Sequence, residues 1–321
     1  MTHLEKLQRD FINLRMGTFI HWNSATAQFH ASADVIDWEI DHENRGKPRL
    51  YPFDEKCWNP KKLDCRAWAR IAKAGGARFS AYTAKHHEGF CTWKTEYSSH
   101  SVKNASNTTD VVAQYLSAFR EAGIVAGLYF SILDLTAGIG RKGCTEEQKA
   151  MIKGQLTELL TNYGEIPFLM FDGWGSPWGG PSYEILPFEE IDGLVKSLQP
   201  NCLSLCIGWT KDIGHSDICF YEGGAGQKLE GEFAGPGILC QKMTKTWFWR
   251  DEDRTDPPRS SDWLVGLAHD CFAKNVNFMN NLSPDPDGVI EPSLAAAFDE
   301  VGKKLVLPDE ITDLPAGWMR R

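Results

Sequence analysis

Asp172 closes the run Tyr163-Gly164-Glu165-Ile166-Pro167-Phe168-Leu169-Met170-Phe171-Asp172-Gly173, a mostly apolar and aromatic stretch ending in one carboxylate and a glycine. A short apolar run of this kind reads as a strand buried on both faces. An unpaired carboxylate buried in such a strand is unfavourable by several kcal/mol or loses its ionisation. At the strand's end, an ionised Asp has two uses: it attacks an electrophilic carbon as a nucleophile, or it caps the next turn.

Three further runs share this design. Met16-Gly17-Thr18-Phe19-Ile20 leads into His21-Trp22, and Ala77-Arg78-Phe79-Ser80-Ala81-Tyr82-Thr83-Ala84 leads into Lys85-His86-His87-Glu88-Gly89-Phe90. Ala126-Gly127-Leu128-Tyr129-Phe130-Ser131 runs toward Asp134. Polar and aromatic groups at equivalent ends of several strands describe a pocket, and parallel α/β barrels build their sites at that end. Adjacent residues on a strand point to opposite faces, so one of His86 and His87 is expected to contact ligand and the other to brace it or pack behind the sheet. The same opposition does not suit a shared metal ion. No metal and no cofactor are expected.

The elements that must carry these ends alternate between strand and helix from about residue 16 to residue 306, without a linker or an internal repeat. Residues 23 to 60, rich in Asn, Asp, Pro and Trp, read as a large loop on the active face. Helices are expected near 63–74, 111–122, 145–163, 186–198, 262–273 and 292–305. Asn107-Thr108-Thr109-Asp110 offers N-caps for the second of these and Thr145 one for the third. Later strands are expected near 203–209, 217–222, 239–248 and 275–281, and the Gly-rich run from Trp174 to Pro181 is expected to form a pocket wall. Roughly eight parallel strands with crossover helices predict a (β/α)₈-like TIM barrel. The expected organisation is one catalytic barrel domain over 1–321, with a short tail at 307–321 and no C-terminal β-sandwich.

These segments resemble the glycoside hydrolase family 29 α-L-fucosidases. The resemblance rests on Gly17-Thr18-Phe19-Ile20-His21-Trp22, on Trp68-Ala69 with Ala74-Gly75-Gly76-Ala77, and on Thr83-Ala84-Lys85-His86-His87-Glu88-Gly89-Phe90. It continues through Gly127-Leu128-Tyr129-Phe130-Ser131, Phe171-Asp172-Gly173 and Asn280-Asn281-Leu282-Ser283-Pro284-Asp285-Pro286-Asp287-Gly288. It implies a retaining exo-glycosidase releasing terminal α-L-fucose or the related α-L-galactose, with Asp172 matching the nucleophile. His21, His86 and His87 match residues that hold the sugar hydroxyls; Trp22, Tyr129 and Trp174 are the further expected substrate contacts. Trp174, Phe90 or Trp178 would supply an apolar wall for the sugar's C6 methyl.

A retaining glycosidase needs a second carboxyl group as acid and then base. Family members of the most similar type commonly show a Glu nine residues before a Trp; counting back from Trp247 reaches Ile238, which transfers no proton. Glu222, Glu230 and Glu232 are the substitutes. Glu222 is preferred because Asp217-Ile218-Cys219-Phe220-Tyr221-Glu222 followed by Gly223-Gly224 repeats the arrangement around Asp172. The departure at Ile238 also leaves open a sugar-binding barrel with impaired or lost catalysis.

Composition narrows the partners. With 34 basic and 43 acidic residues the net charge is −9, which repels phosphate backbones, and no basic cluster with interleaved aromatics appears, so nucleic acid is not expected. Twelve Trp and eight Tyr fit a carbohydrate substrate, although most of these rings are expected in the core. No stretch approaches the roughly 18 apolar residues of a membrane span. The charged start Met1-Thr2-His3-Leu4-Glu5-Lys6 reads as a helix and not a signal peptide, and the location, cytoplasmic or periplasmic, is left open. Nine cysteines without framework spacing read as free, buried thiols.

Overall fold

A computed structural model describes residues 1–31, 54–175, 180–229 and 231–321. Eight parallel strands form one sheet in the order β5-β4-β3-β2-β1-β8-β7-β6. They are β1 (Met16–Ile20), β2 (Phe79–Lys85), β3 (Val125–Ser131), β4 (Phe168–Asp172), β5 (Leu203–Cys206), β6 (Cys219–Glu222), β7 (Gly237–Lys242) and β8 (Val276–Leu282). The helices are α1 (His3–Ile12), α2 (Ser24–Ala31), α3 (Cys65–Ala74), α4 (Val111–Glu121), α5 (Glu146–Asn162), α6 (Phe188–Leu198), α7 (Ser261–Phe272) and α8 (Pro292–Lys304). This is a (β/α)₈ TIM barrel. Among the described residues no strand follows α8.

The expected caps start the helices. Asp110 accepts the Ala113 N–H at 2.9 Å, and Thr145 forms a reciprocal capping box with Gln148. The first differences lie outside the barrel wall. Part of the loop expected at 23–60 is helical, as α2, and residues 32–53 lie outside the described residues. The run expected as a strand over 239–248 pairs only as Gly237–Lys242, so its aromatic end is a loop at the barrel mouth.

Phe19, Ala81, Tyr129, Met170, Leu205, Phe220, Cys240 and Met279 fill the interior of the barrel. Its N-terminal end is plugged by α1, whose Phe11 ring meets Phe79 and Phe168 at 5.1 Å each, and by Trp318, which donates to Gln8 Oε1 at 3.1 Å. The tail thus belongs to the barrel floor.

β5 and β6 share no strand ladder, and side chains close this seam instead. Asp217 Oδ2 accepts the Ser204 N–H at 2.7 Å, Ser216 Oγ accepts the Cys206 N–H at 2.9 Å, and the Asp217 N–H reaches Ser204 O at 2.8 Å. Asp217 is fully buried and also receives Lys196 Nζ at 2.6 Å and Arg321 Nη1 at 2.9 Å. Backbone groups left without a ladder partner must be satisfied some other way, and here a buried carboxylate supplies the acceptor.

Candidate active site

Asp172 ends β4 with its side chain turned into the barrel mouth. The Gly173 N–H donates to Oδ1 at 2.6 Å, and the Tyr129 phenol, one strand away, donates to Oδ2 at 2.8 Å. His87 Nε2 lies 3.6 Å from the same Oδ2. Gly173 has a φ of +60°, and a Cβ there would stand 2.5 Å from Leu133 Cβ, so the turn that aims Asp172 requires glycine. Burial, then the charge and hydrogen bond of Asp172, push the Tyr129 phenol far above its ordinary value, which keeps it a donor.

His86 and His87 do not divide between the two faces of β2. The ladder shifts register between Thr83 and Lys85, and the strand stops at Lys85. Lys85 therefore turns outward, fully buried, to Asp134 at 3.3 Å and Gln155 at 3.1 Å, and the two histidines follow in a turn that brings both rings to the mouth. Their centroids are 4.2 Å apart, and the His86 ring stacks on Tyr129 at 5.6 Å. The Lys85–Asp134 pair lies behind this turn, where a Cβ on Gly89 would meet Asp134 Oδ1 at 2.1 Å. Lys85 and Asp134 position the site from behind and do not line it.

His21 follows β1 and sits among Phe19, Phe248, His86, Trp247 and Tyr129, with ring centroids between 4.4 and 5.9 Å. Neither ring nitrogen has a hydrogen-bond partner, although both are buried. Burial, then the neighbouring His86 and His87, hold its pKa well below the usual histidine range, so the ring is neutral; Asn281 opposes this weakly without reaching hydrogen-bond geometry. Asn281, one residue before the end of β8, donates to Trp247 O at 2.7 Å, which fixes the aromatic loop over the histidines.

Glu222 ends β6. Phe220 on the same strand points inward while Cys219 and Tyr221 pack outward, so alternation puts Glu222 on the inner side. Its charge adds to those of Asp172 and Glu88 around Tyr129, and it faces Cys240 across the β6–β7 pairing. Lys242, the next inward position beyond Cys240, lies with Nζ 5.5 Å from the Trp247 ring centre. Ile238 is buried in the barrel interior, four residues short of Lys242, well below the mouth. Glu232 is exposed at the opposite end, beside Gly231, whose carbonyl takes Lys274 Nζ just before β8. It is therefore set aside as a candidate, and Glu230 lies outside the described residues.

Three expected contacts are corrected. Trp22 is fully buried against Trp58 and Trp68 outside the strands, and its Nε1 donates to Asp285 O at 2.7 Å. Trp174 turns outward onto Phe171, Tyr183 and Phe188 and donates to Leu186 O. Phe90 packs outward against Trp58 and His100. Trp178 lies outside the described residues. The residues that line the mouth without having been expected are Phe248, Trp247, Lys242 and Asn281; a third aromatic, Trp249, directly follows, and such a run after a strand was the available signal. Among the described residues, no three His, Cys, Asp or Glu side chains group to hold a metal ion, and no helix is long and apolar enough to cross a membrane. All nine cysteines are free, seven of them buried.

Known proteins share this sequence and architecture. The alpha-L-fucosidase family profile matches residues 2–308. Alpha-L-fucosidase 1 of Arabidopsis thaliana is 30% identical over 260 residues, which cover 73% of this chain and 49% of that protein. Tissue alpha-L-fucosidase of Homo sapiens is 24% identical, covering 96% and 69%. The chain thus spans about half the length of the plant relative. Alpha-L-fucosidase isoenzyme 1 from Paenibacillus thiaminolyticus superposes with a TM-score of 0.78 at 25% identity, over 94% of this chain and 76% of that one. A Bacteroides thetaiotaomicron alpha-L-fucosidase, trapped as a covalent intermediate with 2-fluoro-fucosyl fluoride, shares the fold with a TM-score of 0.75 at 19% identity, over 93% and 74%. With the profile running through every strand of the barrel, the chain belongs to the alpha-L-fucosidase family.

Proposed function

We propose that the protein is a retaining exo-glycosidase that releases terminal α-L-fucose, or the closely related α-L-galactose, from a carbohydrate substrate. The observation that carries this reading is the Asp172 corner: a carboxylate at a strand end, oriented by the Gly173 N–H and the Tyr129 phenol, beside His87. In the first step an Asp172 oxygen bonds to the anomeric carbon, the glycosidic C–O bond breaks, and Glu222 passes its proton to the departing oxygen. In the second step the Glu222 carboxylate takes a proton from water, the water oxygen bonds to the anomeric carbon, and the ester to Asp172 breaks.

The neutral His21 suits a sugar, because an imidazole with one N–H and one lone pair matches hydroxyls that both donate and accept. His86 and His87 supply further hydroxyl contacts. Phe248, edge-on to His21 and His86 at 4.6 and 4.8 Å, replaces Trp174 and Phe90 as the apolar surface for the C6 methyl group. The covalent intermediate of the Bacteroides relative agrees with the two-step route. A sugar-binding barrel without turnover is the second reading. Its motive was Ile238, which lies in the barrel interior and not at the mouth.

Proton NMR of aryl α-L-fucoside hydrolysis tests the proposal, with the α-L-galactoside run in parallel. The α-anomer should appear first and then mutarotate. First appearance of the β-anomer would exclude retention, and binding without hydrolysis would favour the second reading.

A further inference from the structure

Glu88 stands one residue past the histidine pair and is used by neither step above. Its Oε2 lies 3.0 Å from His86 Nδ1, and its Oε1 accepts the Ser24 hydroxyl at 3.0 Å. Ser24 is itself held by Asn23, whose Oδ1 takes the Ser24 N–H at 2.6 Å and whose Nδ2 reaches Thr83 O and Phe90 O. The Thr136 hydroxyl donates to the Glu88 carbonyl at 2.6 Å. The carboxylate is thus fixed from the β1–α2 connection, and its backbone from the loop after β3. Both carboxylate oxygens are engaged by the protein, one with Ser24 and the other with His86.

We propose that Glu88 is a positioning residue that fixes His86 in the Nδ1–H form, so that Nε2 is the ring atom offered to the sugar. An ionised carboxylate only accepts hydrogen bonds, so the proton on this contact must sit on His86 Nδ1. Neutral imidazole then carries its lone pair on Nε2 and accepts a hydroxyl proton there. The neighbouring ring is anchored through the same atom by different chemistry. Ser131 Oγ donates to Leu133 O at 2.7 Å, so toward His87 Nδ1, also at 2.7 Å, it can only accept. Two adjacent rings are thus pinned at Nδ1, one by a carboxylate and one by a hydroxyl; the Nε2 of His87 faces Asp172 Oδ2 at 3.6 Å.

Burial raises the Glu88 pKa, but the charge that His86 carries when protonated, and its hydrogen bond, outweigh this and hold the group at about 2. Glu88 stays ionised through the neutral range and does not serve as the proton donor of the reaction.

This inference rests on the reading of His86 as a sugar-holding group, but its first test needs no substrate. Nitrogen-15 NMR of histidine-labelled, ligand-free protein at pH 8 should show a protonated Nδ1 and an unprotonated Nε2 for His86, assigned by the loss of its signals in His86→Gln. In Glu88→Ala the proton should move to Nε2, the form free imidazole side chains prefer. Glu88→Gln, whose amide oxygen still accepts, should keep the Nδ1–H pattern. Kinetically, Glu88→Ala should lower kcat/KM by about 10²-fold, as misplacing a contact group does, and Glu88→Gln should restore most of it. An Nε2–H form in the wild type, or an unchanged pattern in a folded Glu88→Ala, would overturn the assignment whatever the activity. If the tautomer shifts as expected but kcat/KM does not, His86 does not hold the sugar through Nε2 and the proposal fails at that point.

Discussion

On the arc of the barrel mouth from β1 to β4, Asp172, His86 and His87 are each held by contacts from within the wall or its loops: Gly173 and Tyr129, Glu88, and Ser131. On the arc from β5 to β7, Glu222, the carboxylate proposed to give the proton, ends a four-residue strand, and the neighbouring seam is closed by side chains instead of a ladder. The two carboxylates have different proposed roles. A nucleophile must be aimed before the substrate arrives and held there. A proton donor must face a leaving group whose position changes as the bond breaks, and it must then face a water. The first arc is joined by unbroken strand ladders, and the second is bounded by the side-chain seam. Asp217 is the point on which that seam depends.

The contrast is sharpest in the two carboxylates. Asp172→Asn should lose at least about 10³-fold in kcat, because the amide is a poor nucleophile, with sugar affinity and unfolding midpoint little changed. In Asp172→Ala, azide should enter from the vacated side and give a glycosyl azide of inverted configuration. Glu222→Ala should slow substrates with poor leaving groups by about 10²–10⁴-fold and spare the first step for acidic aryl leaving groups. There azide should give the retained product, since it attacks the glycosyl-enzyme. Product configuration, read by NMR, assigns each arc its role; the same configuration from both variants would merge them.

Weakening the seam tests the second arc by stability. Asp217→Ala leaves the Ser204 N–H without its acceptor and Lys196 and Arg321 with the Asp192 carboxylate alone, and should lower unfolding free energy by about 3 kcal/mol in urea titrations. Activity lost in the folded variant should follow leaving groups that need protonation. Equal losses on all substrates would mean that the arcs are mechanically one.

The first arc should also set the acid response. His21 stays neutral in the fold, so below about pH 6.5 the unfolded chain binds a proton that the folded chain does not, and stability falls as pH drops. Glu88 has the depressed pKa: its contribution is complete above the ordinary 4.5 and is lost as pH falls toward 2. Melting curves should decline from pH 7 to 5, and His21→Asn should flatten that decline. Parallel curves for the two proteins would contradict it. The smallest effect belongs to Trp22→Phe. It removes the hydrogen bond to Asp285 O and should lower stability by about 1 kcal/mol without changing KM.

Much of the first arc is legible in the sequence, and the reasons are local. An apolar run closed by Asp172 and Gly173 marks a strand end, and three comparable ends mark the same face of a barrel. Alternation, applied one residue further, also predicts the correction at Trp22: if His21 points inward, its neighbour points out. It fails at His86 and His87 because the ladder slips between Thr83 and Lys85, the strand ends there, and both rings follow in a turn where alternation no longer holds; a strand's sequence does not announce where its ladder slips or stops. Trp174 is misread because the left-handed Gly173 re-aims the chain after Asp172. On the second arc, the run from Thr244 to Trp249 looks like the end of a strand because aromatic residues favour strands. Only the end of pairing at Lys242 reveals it as the loop that brings Phe248 to the histidines. The side-chain closure of the seam, resting on contacts among β5, β6, α6 and Arg321, has no local signature.

Asp172 is expected to become covalently bound to the sugar during turnover. Incubation with 2-deoxy-2-fluoro-L-fucosyl fluoride slows both steps and favours accumulation of the intermediate, and peptide mass spectrometry locates the label. One fluorofucosyl group is expected on the peptide containing Asp172, lost on reactivation with an acceptor sugar and absent from Asp172→Asn. A label on another carboxylate, or full inactivation of the Asp172→Asn background at the wild-type rate, would contradict it.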